Sequence, residues 1–223
     1  MGAAPEPGFV EEPIYAELAR IGKTLASPVR LRLLDVLDSG ELTVEELAAA
    51  SGLPVKNTSA QLQQLRAVHL VDSRRDGTRI YYRIASPAVS AFLGRFHDFA
   101  QDTLAELRER ITAHLGTADQ LEPVSADRLA ELMADNLVTV VDVRSQAAYA
   151  RGHIPGAISV PIREMAQRVD ELAGHDMIVA YCQGPYCVSS PNAVRLMLGA
   201  GHQARSLNGG WTGWARAGHP HQT

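Results

Sequence analysis

The hydrophobic pattern of this 223-residue chain changes its period part-way along, and that change limits the possible folds more than any other feature. Up to about residue 116, apolar residues recur at helical spacing, interrupted by one pair of alternating runs around Asp76-Gly77. Beyond it, the short Val/Ile-rich runs "VTVVDVR", "AISVP", "MIVAYC" and "QARSLNGG" alternate with the helical segments "SADRLAELMAD", "REMAQRVDELA" and "SPNAVRLMLGAG". Continuous apolar runs separated by helices predict a parallel sheet covered on both faces. Two domains follow, residues 14–116 and 117–223, each long enough to bury a core of its own. Residues 1–13, rich in Ala, Pro and Glu, read as a disordered N-terminus, and "GTADQLEPVSADR" reads as a linker and entry segment.

The first half carries its helix signals in order. Tyr15 to Leu25 has helical spacing, and Ser27-Pro28 is an N-cap followed by Pro in the first turn, opening a helix that Gly40 ends. Thr43 with Glu46 forms a capping box, Gly52 is a stop, and "LPVKNTSAQLQQLRAVHL" gives a third helix with Thr58, Leu62 and Leu65 inward. Two short helices joined by a tight Gly-containing turn make a helix-turn-helix, and the Asp76-Gly77 hairpin behind it makes a wing. Ser86-Pro87 then opens a long amphipathic helix, 87–115, with more apolar face than a small domain needs. That face predicts a homodimer, formed through the long helix and the N-terminal helix.

Net charge is -4, so only the distribution of charge can point to nucleic acid. Between Lys56 and Arg83 the chain is locally basic: Lys56, Arg66, Arg74, Arg75, Arg79 and Arg83 stand against Asp72 and Asp76. No apolar run approaches the roughly 18 residues of a membrane span, and the start lacks the pattern of a secretory signal, so a cytoplasmic protein without a membrane partner is expected. Both cysteines, Cys182 and Cys187, sit in the short stretch "YCQGPYCVSS". In a reducing compartment such a pair points to catalysis, redox chemistry or metal before a structural staple.

From about Leu18 to Ile84 the chain resembles the ArsR-type winged-helix repressors, on "LASPVRLRLLDVL", "ELTVEELAAASGLP", "TSAQLQQLRAVHLV" and "RRDGTRIYYRI". The resemblance implies a dimer that binds a double-stranded DNA operator. Lys56, Asn57, Ser59, Ala60 and Gln63 face outward on the third helix and are the candidates for base and backbone contacts. Arg74, Arg75, Thr78 and Arg79 are the wing candidates, for phosphates. The metal-sensing designs of similar repressors are not reproduced: "ELTVEEL" has no cysteine, and His97, Asp98, Asp102 and His114 lack the spacing of the other site. No metal and no cofactor are expected.

From about Glu122 to Pro220 the chain resembles a rhodanese domain, on three ordered stretches: "VVDVRSQAAYARGHIPGAISVP", "YCQGPYC" and "NGGWTGWARAGHP". The resemblance gives Asp142, Arg144, His153 and Gly156 structural roles near the active loop, and Trp211 and Trp214 packing roles. The loop itself can be read from its residues. Cys182 follows an apolar strand, and Ser189 or Ser190 with Pro191 starts a helix, so the backbone of Gln183, Gly184, Pro185, Tyr186 and Val188 curls between strand end and helix N-terminus. Such a cradle favours an anion and is expected to lower the pKa of Cys182, making it a nucleophile and persulfide acceptor.

No Lys or Arg lies between Cys182 and Pro191, which argues against phosphate or arsenate chemistry and weakens thiosulfate as a fast donor. Cys187 is either a small residue at a crowded position or a resolving thiol. A zinc clip would need scattered histidines such as His175 and His202.

The sequence thus predicts an α+β winged helix-turn-helix domain followed by an α/β rhodanese-like domain with a parallel central sheet. Its expected function is DNA-binding transcriptional regulation, as a repressor, with sulfane sulfur from a small donor accepted on Cys182 and sensed there. The alternative is a sulfurtransferase, fed by a persulfide or thiosulfate, whose winged helix serves autoregulation or location.

Overall fold

Local signals fix the start of the fold. In a computed structural model, which describes residues 9–117, 121–174 and 176–223, helix α1 (Glu12–Leu25) begins with Pro13 in its first turn, where the missing N–H has no helical partner to lose. The chain is therefore already helical inside the segment expected to be disordered, of which residues 1–8 lie outside the described residues. Ser27 caps α2 (Pro28–Leu37) by accepting from the Arg30 N–H, and Thr43 and Glu46 form a reciprocal capping box on α3 (Val44–Ser51). Gly52 ends α3 in the left-handed region, at φ 69°.

The chain divides into two units, residues 1–89 and 90–223. In the first, α2, α3 and α4 (Val55–Ala67) enclose Leu33, Leu34, Leu37, Leu47, Leu62 and Leu65, all buried. A three-stranded antiparallel sheet completes it, with β1 (Leu42–Thr43), β2 (Val71–Asp76) and β3 (Arg79–Ile84) in the order β1-β3-β2. Asp76 pairs with Arg79 across the two-residue turn Gly77-Thr78, and Gly77 takes the positive φ of 59°.

The second unit is built on a parallel sheet of β4 (Thr139–Asp142), β5 (Ile158–Ser159), β6 (Ile178–Tyr181) and β7 (Ala204–Ser206), ordered β5-β4-β6-β7. The period of two divides β6 between the layers. Ile178, Ala180 and Cys182 share a core with Val194 and Met197 of α10 (Ser189–Gly199). Val179 and Tyr181 pack with Leu129 of α7 (Ala126–Ala134) and with Trp211 and Trp214 of α11 (Gly210–Arg216). Two shorter helices lie between: α8 (Gln146–Arg151), and α9 (Met165–Arg168) continued by a 3-10 turn at Val169–Leu172.

Three features differ from the sequence reading. The helix expected over 87–115 is two helices, α5 (Pro87–Thr103) and α6 (Ala105–Leu115), broken where Leu104 turns extended at φ -101° and ψ 103°. Arg108 takes over the exposed end of α5, donating through Nη1 to the carbonyls of Gln101 at 2.6 Å and Asp102 at 2.9 Å. The unit boundary falls at Val89–Ser90 rather than Gly116, because most of α5 packs with the second unit: Leu93 is fully buried, and Gly94 faces the Arg216 side chain. The segment "REMAQRVDELA" coils as a short α-turn and a 3-10 turn in place of one helix.

Candidate thiol site and DNA-binding surface

Asp142, Arg144 and Tyr181 form a buried network beside the strand end that carries Cys182. Register places Asp142 opposite Tyr181, and the Tyr181 hydroxyl donates to Asp142 Oδ2 at 2.6 Å. Arg144 donates to the same carboxylate through Nη2 at 2.6 Å and to the Gly152 carbonyl at 2.6 Å. Its guanidinium also lies 4.7 Å from the Trp211 ring. Asp142 is wholly buried, and burial beside that carboxylate pushes the Tyr181 hydroxyl well above its ordinary range. His153 stacks on Tyr149 at 3.8 Å, and its backbone pairs with Gln222. The resemblance predicted structural roles for Asp142, Arg144 and His153, and their geometry is of that kind.

The loop after β6 is held by its carbonyls. The first N–H groups of α11 reach back to it, from Trp211 to the Cys182 carbonyl at 2.9 Å and from Thr212 to the Gln183 carbonyl at 3.2 Å. Gly210 makes this possible: its φ is +56°, and a Cβ there would lie 2.6 Å from the Cys182 carbonyl oxygen. With those carbonyls tied down outside the loop, backbone N–H groups at the start of α10 are left for the sulfurs.

The two thiols occupy unlike positions. Cys182 is 1% exposed, and its Sγ lies 3.3 Å from the Cys187 carbonyl oxygen and 3.3 Å from Ser190 Oγ. Cys187 is half-buried and lines a cavity of about 270 Å3 together with Tyr186, Gly184, Thr112, Leu115 and Asn208. Burial pushes the Cys182 thiol well above its ordinary value. Cys187 is held down to about 5, first by a hydrogen bond from Cys182, then by the backbone N–H and hydroxyl of Ser189 and the backbone of Gln183. β6 carries Cys182 into the core while the turn brings Cys187 back to the cavity wall, and the loop's donors are shared, Ser190 acting on the first sulfur and Ser189 with the Gln183 backbone on the second. Both cysteines are free thiols.

Tyr186, next to Cys187, packs on α5. Its ring meets that of buried His97 edge-on at 5.3 Å, and Gln101 Nε2 donates to its hydroxyl at 3.3 Å.

In the first unit, Lys56, Ala60 and Gln63 of α4 are exposed and Asn57 and Ser59 are half-buried, while Thr58, Leu62 and Leu65 are buried. Asn57 accepts from Gln61, and Gln63 donates to the Tyr82 hydroxyl. On the wing Arg74, Arg75, Thr78 and Arg79 are all exposed. Arg74 is paired to Glu41 at 2.7 Å and lies over Tyr81, whereas Arg75 donates to the Gly77 carbonyl.

Two family models cover the two units: a helix-turn-helix domain over residues 25–74 and a rhodanese-like domain over residues 125–217. The HTH-type transcriptional regulator Rv0324 of Mycobacterium tuberculosis is 42% identical over 204 residues, covering 92% of this chain and 89% of its own. The chain belongs to the ArsR-type transcriptional regulators with a rhodanese-like domain. Among solved structures, the homodimeric winged helix-turn-helix DNA-binding domain from Mycobacterium bovis is 37% identical, covering 46% of this chain and 95% of that one at a TM-score of 0.41. A rhodanese-related protein from Thermoplasma volcanium is 25% identical, covering 45% of this chain and 96% of that one at a TM-score of 0.42.

Several residues of the regulator's candidate sites were not singled out in the sequence. Gln64 is exposed on α4, four residues beyond Ala60, and the helical period could have added it. Ser190, 3.3 Å from Cys182 Sγ, was read only as a start of the helix after the loop. Gln101 has only a weak signal, and His97, weighed above only as a metal ligand, falls four residues after the buried Leu93. Among the described residues no group of three His, Cys, Asp or Glu side chains is placed to hold a metal, and no helix is long and apolar enough to cross a membrane. His175, named above as a scattered zinc ligand, lies outside the described residues.

Proposed function

We propose that this regulator is a repressor that binds operator DNA as a dimer and changes its operator affinity when its rhodanese-like loop takes up sulfane sulfur. The observation that carries the reading is the thiol pair: Cys182 at the strand end and Cys187 at a cavity wall lie within hydrogen-bond reach of each other, in a loop whose Ser189 and Ser190 donors favour a charged sulfur. A thiolate with a second thiol beside it reacts with a persulfide or polysulfide and resolves the product without a further partner. DNA contact is assigned to Lys56, Asn57, Ser59, Ala60 and Gln63 on α4 and to the wing residues Arg75, Thr78 and Arg79, with Arg74 drawn partly away by Glu41.

A second copy would cover the apolar residues that α1 leaves exposed, Ile14, Tyr15 and Leu18, and on α5 Phe92 and Phe99. Tyr186 supplies a route outward from the loop, since a change at Cys187 moves the neighbouring ring against His97 and Gln101 on the helix that follows the wing. Coupling of this kind requires that the two states of the loop differ in their DNA-competent population.

Operator binding by the full chain before and after inorganic polysulfide tests the reading. A shift of several-fold in affinity, reversed by dithiothreitol, is expected, and an unchanged affinity on fully modified protein contradicts it. Multiple turnovers of sulfur to cyanide, with no change in DNA binding, would favour a sulfurtransferase instead.

A further inference from the structure

A side-chain amide carries a donor at one end and an acceptor at the other, alike in shape, so its neighbours decide which end faces where. Arg30 of α2 makes that decision for the start of α4. A guanidinium only donates, and Arg30 Nη1 donates to Gln61 Oε1 at 3.0 Å. The Gln61 oxygen is thereby fixed toward Arg30, its amino group is turned the other way, and Nε2 donates to Asn57 Oδ1 at 3.3 Å. Asn57 lies one helical turn back, so its oxygen is fixed in its turn. Gln63 shows the contrast: its partner is the Tyr82 hydroxyl, which donates as readily as it accepts and fixes neither end of that amide. Arg30 itself has little freedom. Its Nε and Nη2 donate to the carbonyls of Thr24 and Lys23, among the last of α1, which a helix end leaves without an intrahelical partner.

Resting on the DNA-contact reading above, we propose that Arg30 and Gln61 are positioning residues that hold the Asn57 amide with its oxygen toward Gln61 and its amino group toward DNA, so that α4 reads a keto base there, guanine or thymine, and rejects an amino base. Asn57 is the third residue of α4, and in a helix-turn-helix the start of the second helix meets base edges in the major groove. It is half-buried and shares a ridge of the helix with exposed Ala60 and Gln64. In that groove guanine offers O6 and N7 and thymine offers O4, all acceptors for an amino group. Cytosine N4 is a donor and would meet the Asn57 amino group donor to donor. Adenine sets N6, also a donor, beside N7, and pairing with both needs the oxygen that Gln61 already occupies. An asparagine free to turn would take adenine with both ends. The relay withholds that option, so the base preference of α4 depends on an arginine of another helix.

The test is selection from a random-sequence duplex library by the full chain, read as the ratio of keto to amino base at each position of the enriched site. Asn57→Ala is expected to flatten the preference at one position of each half-site, which marks the base that Asn57 reads. There the wild type is expected to favour guanine or thymine by about fivefold or more. Gln61→Glu keeps an acceptor for Arg30 and removes the donor to Asn57. The Asn57 amino group then turns to the new carboxylate, its oxygen turns outward, and the preference is expected to invert to adenine or cytosine. The added charge weakens every duplex alike and leaves that ratio untouched. Gln61→Met, which neither donates nor accepts, is a second arm in case the glutamate disturbs the helix: it frees the amide, and the preference is expected to shrink without inverting. The proposal is overturned if either variant, folded by its thermal unfolding curve, keeps the wild-type ratio. It is also overturned if Asn57→Ala flattens no position, or marks one where the wild type holds an amino base. In each of those cases an enriched wild-type site leaves the DNA-binding reading standing, whereas a wild type that enriches no sequence brings down both.

Discussion

The two units present their candidate sites in opposite ways. The winged helix displays its chemistry: Lys56, Arg75, Arg79 and Gln63 stand on the outside of a helix and a hairpin whose inner faces close a small leucine core. The rhodanese-like unit hides its chemistry, with one thiol inside the core, the other at a cavity wall, and a buried ion pair beneath the loop. A surface that meets a polyanion needs exposed cations and little preorganisation. A thiol that must be anionic near neutral pH needs fixed donors, and therefore a rigid shell.

This contrast can be broken first at its most buried point. Asp142→Ala leaves the Arg144 guanidinium, itself buried, without its carboxylate, and about 3–5 kcal/mol of destabilisation is expected. Thermal unfolding should show the loss in the rhodanese-like unit alone, with operator binding by unmodified protein retained. Joint loss of operator binding would mean that the two sites do not stand on separate supports. On the exposed side, Arg75→Ala with Arg79→Ala is expected to weaken operator binding about tenfold or more and to lower its salt slope by about two, without changing sulfur uptake. An unchanged salt slope, measured across a potassium chloride series, would remove the wing from the interface. The smallest effect is expected from Tyr186→Phe, which keeps the ring on His97 and deletes the bond from Gln101, a loss of about 0.5–1.5 kcal/mol. Sulfur uptake should be unaffected while the persulfide-induced shift in operator affinity shrinks a few-fold. A full-sized shift in this variant would place the link outside the Gln101 contact.

The same contrast governs what the sequence made legible. Caps, the hairpin and the parallel sheet were readable because each depends on neighbours in sequence: Ser27 with Arg30, Thr43 with Glu46, the run "IVAY" between helices. The outward face of α4 followed from the helical period, apart from Gln64. The break at Leu104 was not legible, because no Gly or Pro marks it and Arg108 stabilises it by reaching back to the carbonyls of Gln101 and Asp102. The unlike burial of the two thiols was not legible either. Strand parity sends Cys182 into the layer beneath α10, while Cys187 comes to a cavity wall shared with Thr112 and Leu115 of α6, far away in sequence. The stretch "NGGW" could be recognised as a motif, but the need for Gly210 under the Cys182 carbonyl appears only when the two segments, far apart in sequence, are brought together.

The central claim is that the state of the thiol pair sets DNA affinity. Its most direct test is a glutathione persulfide titration in which the modified fraction, by intact mass, and the operator-bound fraction are measured on the same samples. The account predicts that both move together with one midpoint in the wild type, and that both stay nearly flat in the double variant Cys182→Ser with Cys187→Ser. Complete modification of the pair with an unmoved operator-bound fraction would contradict it.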